Sequence, residues 1–278
     1  MYDRIDRLGD TVFQHGPYND RVYVMRTAPA DLEELLPYLE NLAGRRRYGK
    51  VIAKVPTSCR EAFLGWGARE EASLPGYHGD QDAHFVARYF DPERAEERKP
   101  EVVAENLTIA RTKAAEAPST QGDGWDHEVA EAGPDDAEEM GNVYQQVFPT
   151  YPFPIFDPAY LRQAMQNDVA FFKLCRDGRI GALASAEMDL DAGAVEMTDF
   201  ATLPELRGQG AAQSLLLAME AAMRERRLRL GFTIARAFST GMNVTFAKCG
   251  YEYGGTLVNN TNIAGRIESM NIWSRPLA

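Results

Sequence analysis

Glu196-Met197-Thr198-Asp199-Phe200-Ala201-Thr202-Leu203-Pro204-Glu205-Leu206-Arg207-Gly208-Gln209-Gly210-Ala211-Ala212 is the stretch on which the reading of this chain turns. It begins inside a strand-like run over 194–202 and passes through Pro204 into Gly208-Gln209-Gly210. There a helix opens whose apolar positions Ala212, Leu215, Leu216, Met219, Ala222 and Met223 recur at i, i+3, i+4 and i+7. Glycines let a backbone turn tightly and approach a ligand, and the unpaired N–H groups at a helix start bind anionic oxygen, so a pyrophosphate is the natural guest. No Gly-Lys-Ser/Thr follows, which excludes a P-loop, and Gln213 stands where a dinucleotide fingerprint has its third glycine. Taken alone, a Gly-x-Gly turn is more often a loop than a ligand site.

The surrounding pattern is mixed α/β. Before the motif, the sequence predicts a strand over 127–131, helices over 135–148 and 158–166 around a Pro-broken Tyr151-Pro152-Phe153-Pro154, and strands over 169–176, 180–190 and 194–202. Asp177-Gly178 marks a hairpin between the first two of those three strands. After the motif come a strand over 232–237, a helix over 242–249, and strands from Tyr251 and Ile267. Arg224, Arg226, Arg227 and Arg229 suit the negative end of the long helix and need no further role. Residues 21–90 read as strand 21–27, helix 31–46, strand 50–55, helix 59–66 and strands 69–74 and 83–90. The charged, Ala-rich stretch 91–117 suits a connecting helix, and Pro118-Ser119-Thr120-Gln121-Gly122-Asp123-Gly124 has linker composition.

Similar landmarks recur in both parts. Val51-Ile52-Ala53-Lys54 precedes Phe63-Leu64-Gly65-Trp66-Gly67, and Thr233-Ile234-Ala235-Arg236 precedes Phe246-Ala247-Lys248-Cys249-Gly250, each followed by two strands. This spacing points to a degenerate internal duplication. The first copy has Thr27-Ala28-Pro29-Ala30 where the second has its glycine loop, so only the second grips a phosphate there.

Composition sets the class. With 278 residues, 45% hydrophobic and 26% charged, the chain is long enough for one large or two modest domains and is neither fibrous nor wholly disordered. No apolar run reaches the roughly 20 residues of a membrane helix, and the charged start lacks a signal-peptide pattern, so no membrane and a cytoplasmic location are expected. Three scattered cysteines and four histidines build neither a disulfide framework nor a metal site, so no metal is expected. The net charge of −11 argues against nucleic acid as a partner. It is unevenly spread, at −3 over 1–118, −12 over 119–200 and +4 over 201–278. If the last two segments flank one cleft, the basic side suits a polyanionic cofactor and the acidic side a cationic amine.

Gly208 and Gly210, with Arg207 before them, resemble the pyrophosphate motif of the GNAT superfamily of acyl-CoA-dependent N-acyltransferases; Glu205 departs at its first position, and its side chain should point away. The strand 196–201 and Phe246-x-Lys248-x-Gly250-Tyr251 are similar to GNAT elements as well. More closely, His15-Gly16-x-x-Asn19-Asp20-Arg21, Tyr151-Pro152-Phe153-Pro154, Thr198-Asp199-Phe200-Ala201-Thr202, Tyr253-Gly254-Gly255-Thr256-Leu257 and Asn259-Asn260-Thr261-Asn262-Ile263 resemble the beta-lysine N-acetyltransferase family over nearly the whole chain.

The resemblance implies an α/β GNAT fold, a mixed, mostly antiparallel sheet flanked by helices, over 125–278. A degenerate GNAT-like domain over 1–90 and a connecting helix and linker over 91–124 precede it. It implies acetyl transfer from acetyl-CoA to the terminal amine of beta-lysine, giving N6-acetyl-beta-lysine, a compatible solute. Another amine (a polyamine, an aminoglycoside or a protein lysine) and a non-catalytic acyl-CoA-binding sensor are the alternatives, and homodimerisation stays open. Cofactor contacts are expected at Phe200, Ala201, Thr202, Arg207, Gly208, Gln209, Gly210, Ala211, Ala212, Ser239, Asn243 and Phe246. Substrate contacts are expected at Tyr151, Phe153, Asn259, Asn260 and Asn262. Direct attack needs a neutral amine, so a carboxylate base is sought, with Glu196 and Asp199 as candidates. Strand alternation puts those two on opposite faces unless a bulge intervenes. Phe246 occupies a position where many GNAT enzymes carry Tyr as the acid, which leaves Tyr253 as the remaining tyrosine candidate and makes the base the dominant catalyst. Cys249 is expected to be a packed residue and not a nucleophile.

Overall fold

The computed structural model describes residues 2–116 and 129–277; the expected linker at 118–124 and the first two residues of the strand expected over 127–131 lie outside them. The chain opens with a hairpin that the pattern did not predict, β1 (Arg4–Leu8) and β2 (Thr11–Gly16). β1 is charged and mostly exposed at the sheet edge, so it lacks the apolar alternation that marks a half-buried strand. Next come β3 (Arg21–Arg26), α1 (Leu32–Arg46), β4 (Lys50–Pro56), α2 (Thr57–Gly65), β5 (Arg69–Leu74), β6 (Ala83–Tyr89) and α3 (Pro100–Ala115). The second part runs β7 (Val129–Glu131), α4 (Ala137–Val147), α5 (Pro158–Met165), β8 (Val169–Arg176), β9 (Arg179–Asp189) and β10 (Ala194–Thr202). It ends with α6 (Ala211–Glu225), β11 (Leu230–Arg236), α7 (Thr240–Lys248), β12 (Glu252–Ile263) and β13 (Arg266–Pro276). No helix among the described residues is long and apolar enough to cross a membrane.

All thirteen strands join one sheet in the order β1-β2-β3-β4-β6-β5-β12-β13-β11-β10-β9-β8-β7. From its centre, the order β5-β6-β4-β3-β2-β1 on one side is matched by β12-β13-β11-β10-β9-β8 on the other. Each side contains a single parallel pair, β3 with β4 and β10 with β11.

Strand alternation separates an outer from an inner face. On the outer face Leu35, Leu39 and Phe63 of α1 and α2 pack on Val22, Val51 and Val86. Leu215, Leu216 and Met219 of α6 pack on Val195, Met197 and Ala184. The connecting helix α3 docks on this second part, with Asn106 Nδ2 donating to the Ala237 carbonyl at 3.0 Å and Oδ1 accepting from Thr240 Oγ1 at 2.6 Å. On the inner face one core contains Ile52, Leu74 and Phe85 from the first part and Tyr144, Phe232 and Ile272 from the second. The sheet therefore curls so that the inner faces of its two parts share one core.

The join at β5 and β12 has glycine at its centre. A Cβ at Gly254 would stand 2.4 Å from the Ser73 carbonyl oxygen, and one at Gly255, whose φ is +140°, would stand 2.2 Å from that of Glu71. Only Gly255 and Ala72 pair in register, so side chains carry the rest of the seam. Lys50, buried and pushed down to about 8 by that burial, donates to Glu71 and to the Val258 carbonyl, both at 2.8 Å. Arg94 donates from Nε to the Asn259 carbonyl at 3.1 Å and from its two other nitrogens to the carbonyls of Asn19 and Asp20 and to the Asp20 carboxylate. Asn19 Oδ1 accepts from the Asn262 N–H at 2.7 Å.

A β-carbon at Gly255 overpacks this join, so Gly255→Val should cost about 1–3 kcal/mol and lower the thermal midpoint by roughly 3–10 °C. Gly44→Ala, inside α1 where a Cβ meets nothing within 4 Å, should lower nothing. Calorimetric melting of the two variants checks this; a Gly255→Val protein that melts with the native one removes the glycine contact as a determinant.

Candidate active site

β10 and β11 pair only from Ala194 to Glu196, opposite Leu230 to Phe232, and then diverge. The opening leads into a cavity of about 1910 Å³. Its walls are the loop before α6, the cleft side of α7, the segment 147–153, and the inner faces of β3 and β4. The expected cofactor positions Phe200, Thr202, Arg207, Gly208, Gln209, Gly210, Ala211, Ala212, Ser239 and Phe246 all border this cavity. Gly208 and Gly210 have φ of +77° and +80°, and a Cβ on either would meet no protein atom within 4 Å, so the loop's backbone faces open space. Glu205 is exposed and does not border the cavity. Ala201 is buried in the inner core, which leaves only its backbone for a cofactor. Asn243 is a correction. It is wholly buried, its Nδ2 donates to the carbonyls of Arg236 and Ser239, and its Oδ1 accepts from Asn271 and Trp273, so it braces the α7 start instead of facing the cavity.

The bulge left open by strand alternation is present. Against β9, Thr198 pairs with Ser185 and Ala201 with Leu183, so Asp199 and Phe200 share the place of one residue, and Asp199 takes a φ of +55°. Glu196 and Asp199 consequently both face the cavity. Asp199 is buried with both oxygens engaged, one by the Tyr151 hydroxyl and one by Ser185 Oγ at 2.6 Å. Burial raises its carboxyl above the usual range, and those two hydrogen bonds oppose the rise. Glu196 is half-buried and accepts from the Ile234 N–H. Burial pushes its carboxyl up to about 7; Lys54 works against that rise and Asp199 adds to it.

Glu187 was missed by sequence reasoning. It pairs directly opposite Glu196 on β9 and borders the same cavity, and desolvation, followed by the charges of Asp199 and Glu196, raises its carboxyl well above the ordinary value while Lys54 opposes the rise. The signal was present as Ser185, Glu187 and Asp189, polar at every second position of a strand that is apolar from Ile180 to Ala184. Lys54 was also missed. It reaches from β4 to donate to the Tyr77 hydroxyl and lies 4.3 Å from that ring's centroid, while Tyr77 donates to Asp189 at 2.9 Å. The acidic middle segment and the basic C-terminal segment thus meet at one cavity, Glu187, Glu196 and Asp199 lining it together with Arg207, Lys248 and Arg275.

Tyr151, Phe153 and Asn260 border the cavity as expected. Asn259 and Asn262 do not: Asn259 Nδ2 donates to the carbonyls of Arg94 and Glu96, and Asn262 Nδ2 to that of Tyr18, so both stitch the seam. Tyr253 is likewise withdrawn as a catalytic group, because β12 turns it to the outer face. There its ring packs 5.6 Å from that of Trp273, Arg111 of α3 stands 5.4 Å from its centroid, and its hydroxyl bonds Thr256. Phe246 packs edge-on against Phe200 at 5.6 Å and offers no proton. Burial pushes the Cys249 thiol up to about 12, which denies it thiolate character at neutral pH. Among the described residues no group of three His, Cys, Asp or Glu side chains is placed to hold a metal ion.

The acetyltransferase (GNAT) family model matches residues 137–251, the segment that carries the glycine loop and the diverging strands. A beta-lysine N(6)-acetyltransferase of Methanococcus maripaludis is 38% identical over 271 residues, covering 98% of each chain. The N-acetyltransferase YodP of Bacillus subtilis is 32% identical over 96% of each. A beta-lysine N(6)-acetyltransferase of Methanosarcina mazei is 30% identical over 88% of this chain and 97% of its own. Among solved structures, a GNAT superfamily phosphinothricin acetyltransferase from Sinorhizobium meliloti in complex with AcCoA shares the fold over 55% of this chain and 90% of its own, with a TM-score of 0.50 and 17% identity. The sequence match runs through both parts of the sheet and not the glycine loop alone, and the chain belongs to the beta-lysine N6-acetyltransferase family within the GNAT acetyltransferases.

Proposed function

We propose that this protein moves the acetyl group of acetyl-CoA to the N6 amine of beta-lysine by direct attack in a ternary complex, giving N6-acetyl-beta-lysine, a compatible solute. The observation that carries the reading is the set of three carboxylates, Glu187, Glu196 and Asp199, on the cleft side of two adjacent strands, beside the glycine loop. In this reading the N–H groups of residues 207–212 hold the pyrophosphate, and the backbone of 198–202, freed where β10 leaves β11, pairs with the pantetheine arm. The amine nitrogen forms a bond to the thioester carbon as the carbon–sulfur bond breaks, and the amine's proton has to go to a base.

Glu196 fits that role better than Asp199. Asp199 already accepts two side-chain hydrogen bonds, whereas Glu196 is open to the cavity and titrates near neutrality. Asp199 then serves to fix Tyr151, and Glu187 adds negative charge for an ammonium. No acid stands at Phe246, and a thiolate with a pKa near ~8.5 leaves at neutral pH without one, whereas an ammonium near ~10.4 must be deprotonated before it attacks. The same reading takes 1–90 as a degenerate GNAT-like unit, supported by the mirrored strand order, 91–124 as the connection, and 125–278 as the catalytic domain.

Two outcomes test it. Gly210→Val places a branched side chain at positive φ in the loop that would hold the anion, and should weaken acetyl-CoA binding at least about tenfold, the scale of lost charge-assisted hydrogen bonds. Undiminished affinity by calorimetry removes the loop as the site. For the native protein, kcat/KM for beta-lysine should rise with pH through about 7 as Glu196 loses its proton. Glu196→Gln should lower kcat on the order of 100-fold, abolish that limb, and leave a residual rate that climbs only toward the amine's own pKa of ~10.4. A pH profile unchanged by the substitution assigns the proton transfer elsewhere.

A further inference from the structure

Arg21 begins β3, seven strands away from β10 along the sheet, yet borders the same cavity because the sheet curls. The residue is 5% exposed. One guanidinium nitrogen donates to the Asn260 carbonyl at 2.6 Å and to Thr261 Oγ1 at 3.1 Å. Its Nε is buried without a hydrogen-bond partner among the described residues, and no carboxylate among them lies within ion-pair distance of it. The guanidinium carbon stands 5.2 Å from the Tyr23 ring centroid, which holds the fork in place. Asn260, 3% exposed, presents a second orphan, a buried Oδ1 with no donor. A buried guanidinium nitrogen and a buried amide oxygen left without partners on two residues that touch at a cavity wall are costly in a finished core, and they are what a ligand with complementary groups would satisfy.

Resting on the reading that beta-lysine is the substrate, we infer that Arg21 and Asn260 form the pocket for its β-amino-acid head, the guanidinium taking the carboxylate and the Asn260 amide oxygen the neighbouring ammonium. These two groups of the substrate sit on carbons separated by one methylene, and the N6 amine is three methylenes farther on. Tyr23, next on the cleft side of β3, lies within electrostatic reach both of Arg21 and of Glu196 and Glu187. The head site and the carboxylate cluster are thus parts of one cavity, and the first part of the chain selects the substrate that the second part acetylates. The arrangement makes the carboxylate a specificity determinant: a diamine without it fits the acidic cluster and leaves Arg21 unpaired.

The test uses beta-lysine, 1,4-diaminopentane (the same molecule without its carboxyl group) and 3-aminobutanoate (the head without the reacting amine). The native protein should prefer beta-lysine to 1,4-diaminopentane at least tenfold in kcat/KM and bind 3-aminobutanoate in calorimetry. Arg21→Gln should raise KM for beta-lysine at least tenfold with kcat within threefold. It should leave kcat/KM for 1,4-diaminopentane and the acetyl-CoA affinity unchanged, and abolish 3-aminobutanoate binding. Equal turnover of the two amines by the native protein overturns the head site while leaving acetylation of beta-lysine in place. So does an Arg21→Gln loss that is the same for both. If beta-lysine is not acetylated at all, the proposed function falls, and the head site falls with it only if 3-aminobutanoate also fails to bind. Should Arg21→Gln not fold, the native preference and the 3-aminobutanoate titration decide.

Discussion

The Arg94 guanidinium, buried at the seam, governs how the two parts of the sheet meet. It is held by the Asp20 carboxylate and in turn grips three backbone carbonyls, those of Asn19, Asp20 and Asn259. A buried charge is tolerated when paired and fully hydrogen-bonded, and severing one partner leaves an uncompensated ion in the interior. That requirement locks the 19–20 turn to β12 where β12 is bulged, with Leu257 opposite Met270 and Thr261 opposite Glu268. The bulge puts Asn259 at φ +44° and turns Asn260 inward. The tie between the 19–20 turn and β12 and the inward turn of Asn260 at the cavity wall thus meet at one ion and its acceptors.

Regular elements were legible where periodicity operates over several residues. α6 and the strands β8 to β10 follow from apolar spacing that no other fold of the segment would bury, and the glycine loop follows from two residues that must adopt positive φ. Side-chain direction was not legible beyond a bulge. Each bulge shifts the parity of everything after it, so the single irregularity between Thr198 and Ala201 brings Asp199 to the face of Glu196. The irregularities in β12, together with the outward turn of Tyr253, separate Asn260 from Asn259 and Asn262 although all three carry the same chemistry. Asn243 fails for another reason: a polar side chain at a helix start serves a cap or brace as readily as a ligand, and only its four partners decide between them. Lys54 and Arg21 were invisible as site residues because they lie far from the glycine motif in sequence and meet it only through the curl of the sheet, whereas Glu187, paired directly with Glu196, left its mark in the alternation of β9.

The electrostatics of the cleft depend on both parts of the chain. Three carboxylates near one another would all tend to remain protonated, since each raises the others. Lys54, brought in by β4 and held by Tyr77, opposes that drift and keeps Glu196 near neutrality. Burial pulls Lys54 itself downward, and Asp189, Glu196 and Glu187 hold it up. A change in the first part of the chain therefore reaches the protonation of Glu196 without touching the glycine loop.

Joining two half-sheets through a single residue pair at Gly255 and Ala72 also bears on how the chain can be divided. Separated, the first part would bare β5 and the second β12, each a strand with a free row of N–H and C=O groups and, on β12, two glycines with no side chains to obstruct docking. Such edges recruit other strands, and natural proteins cover or blunt them. In this molecule each part is the cover for the other, so fragments made apart would be prone to fibre-like association, and inheritance as one uninterrupted polypeptide protects the protein from aggregation as well as completing its cleft.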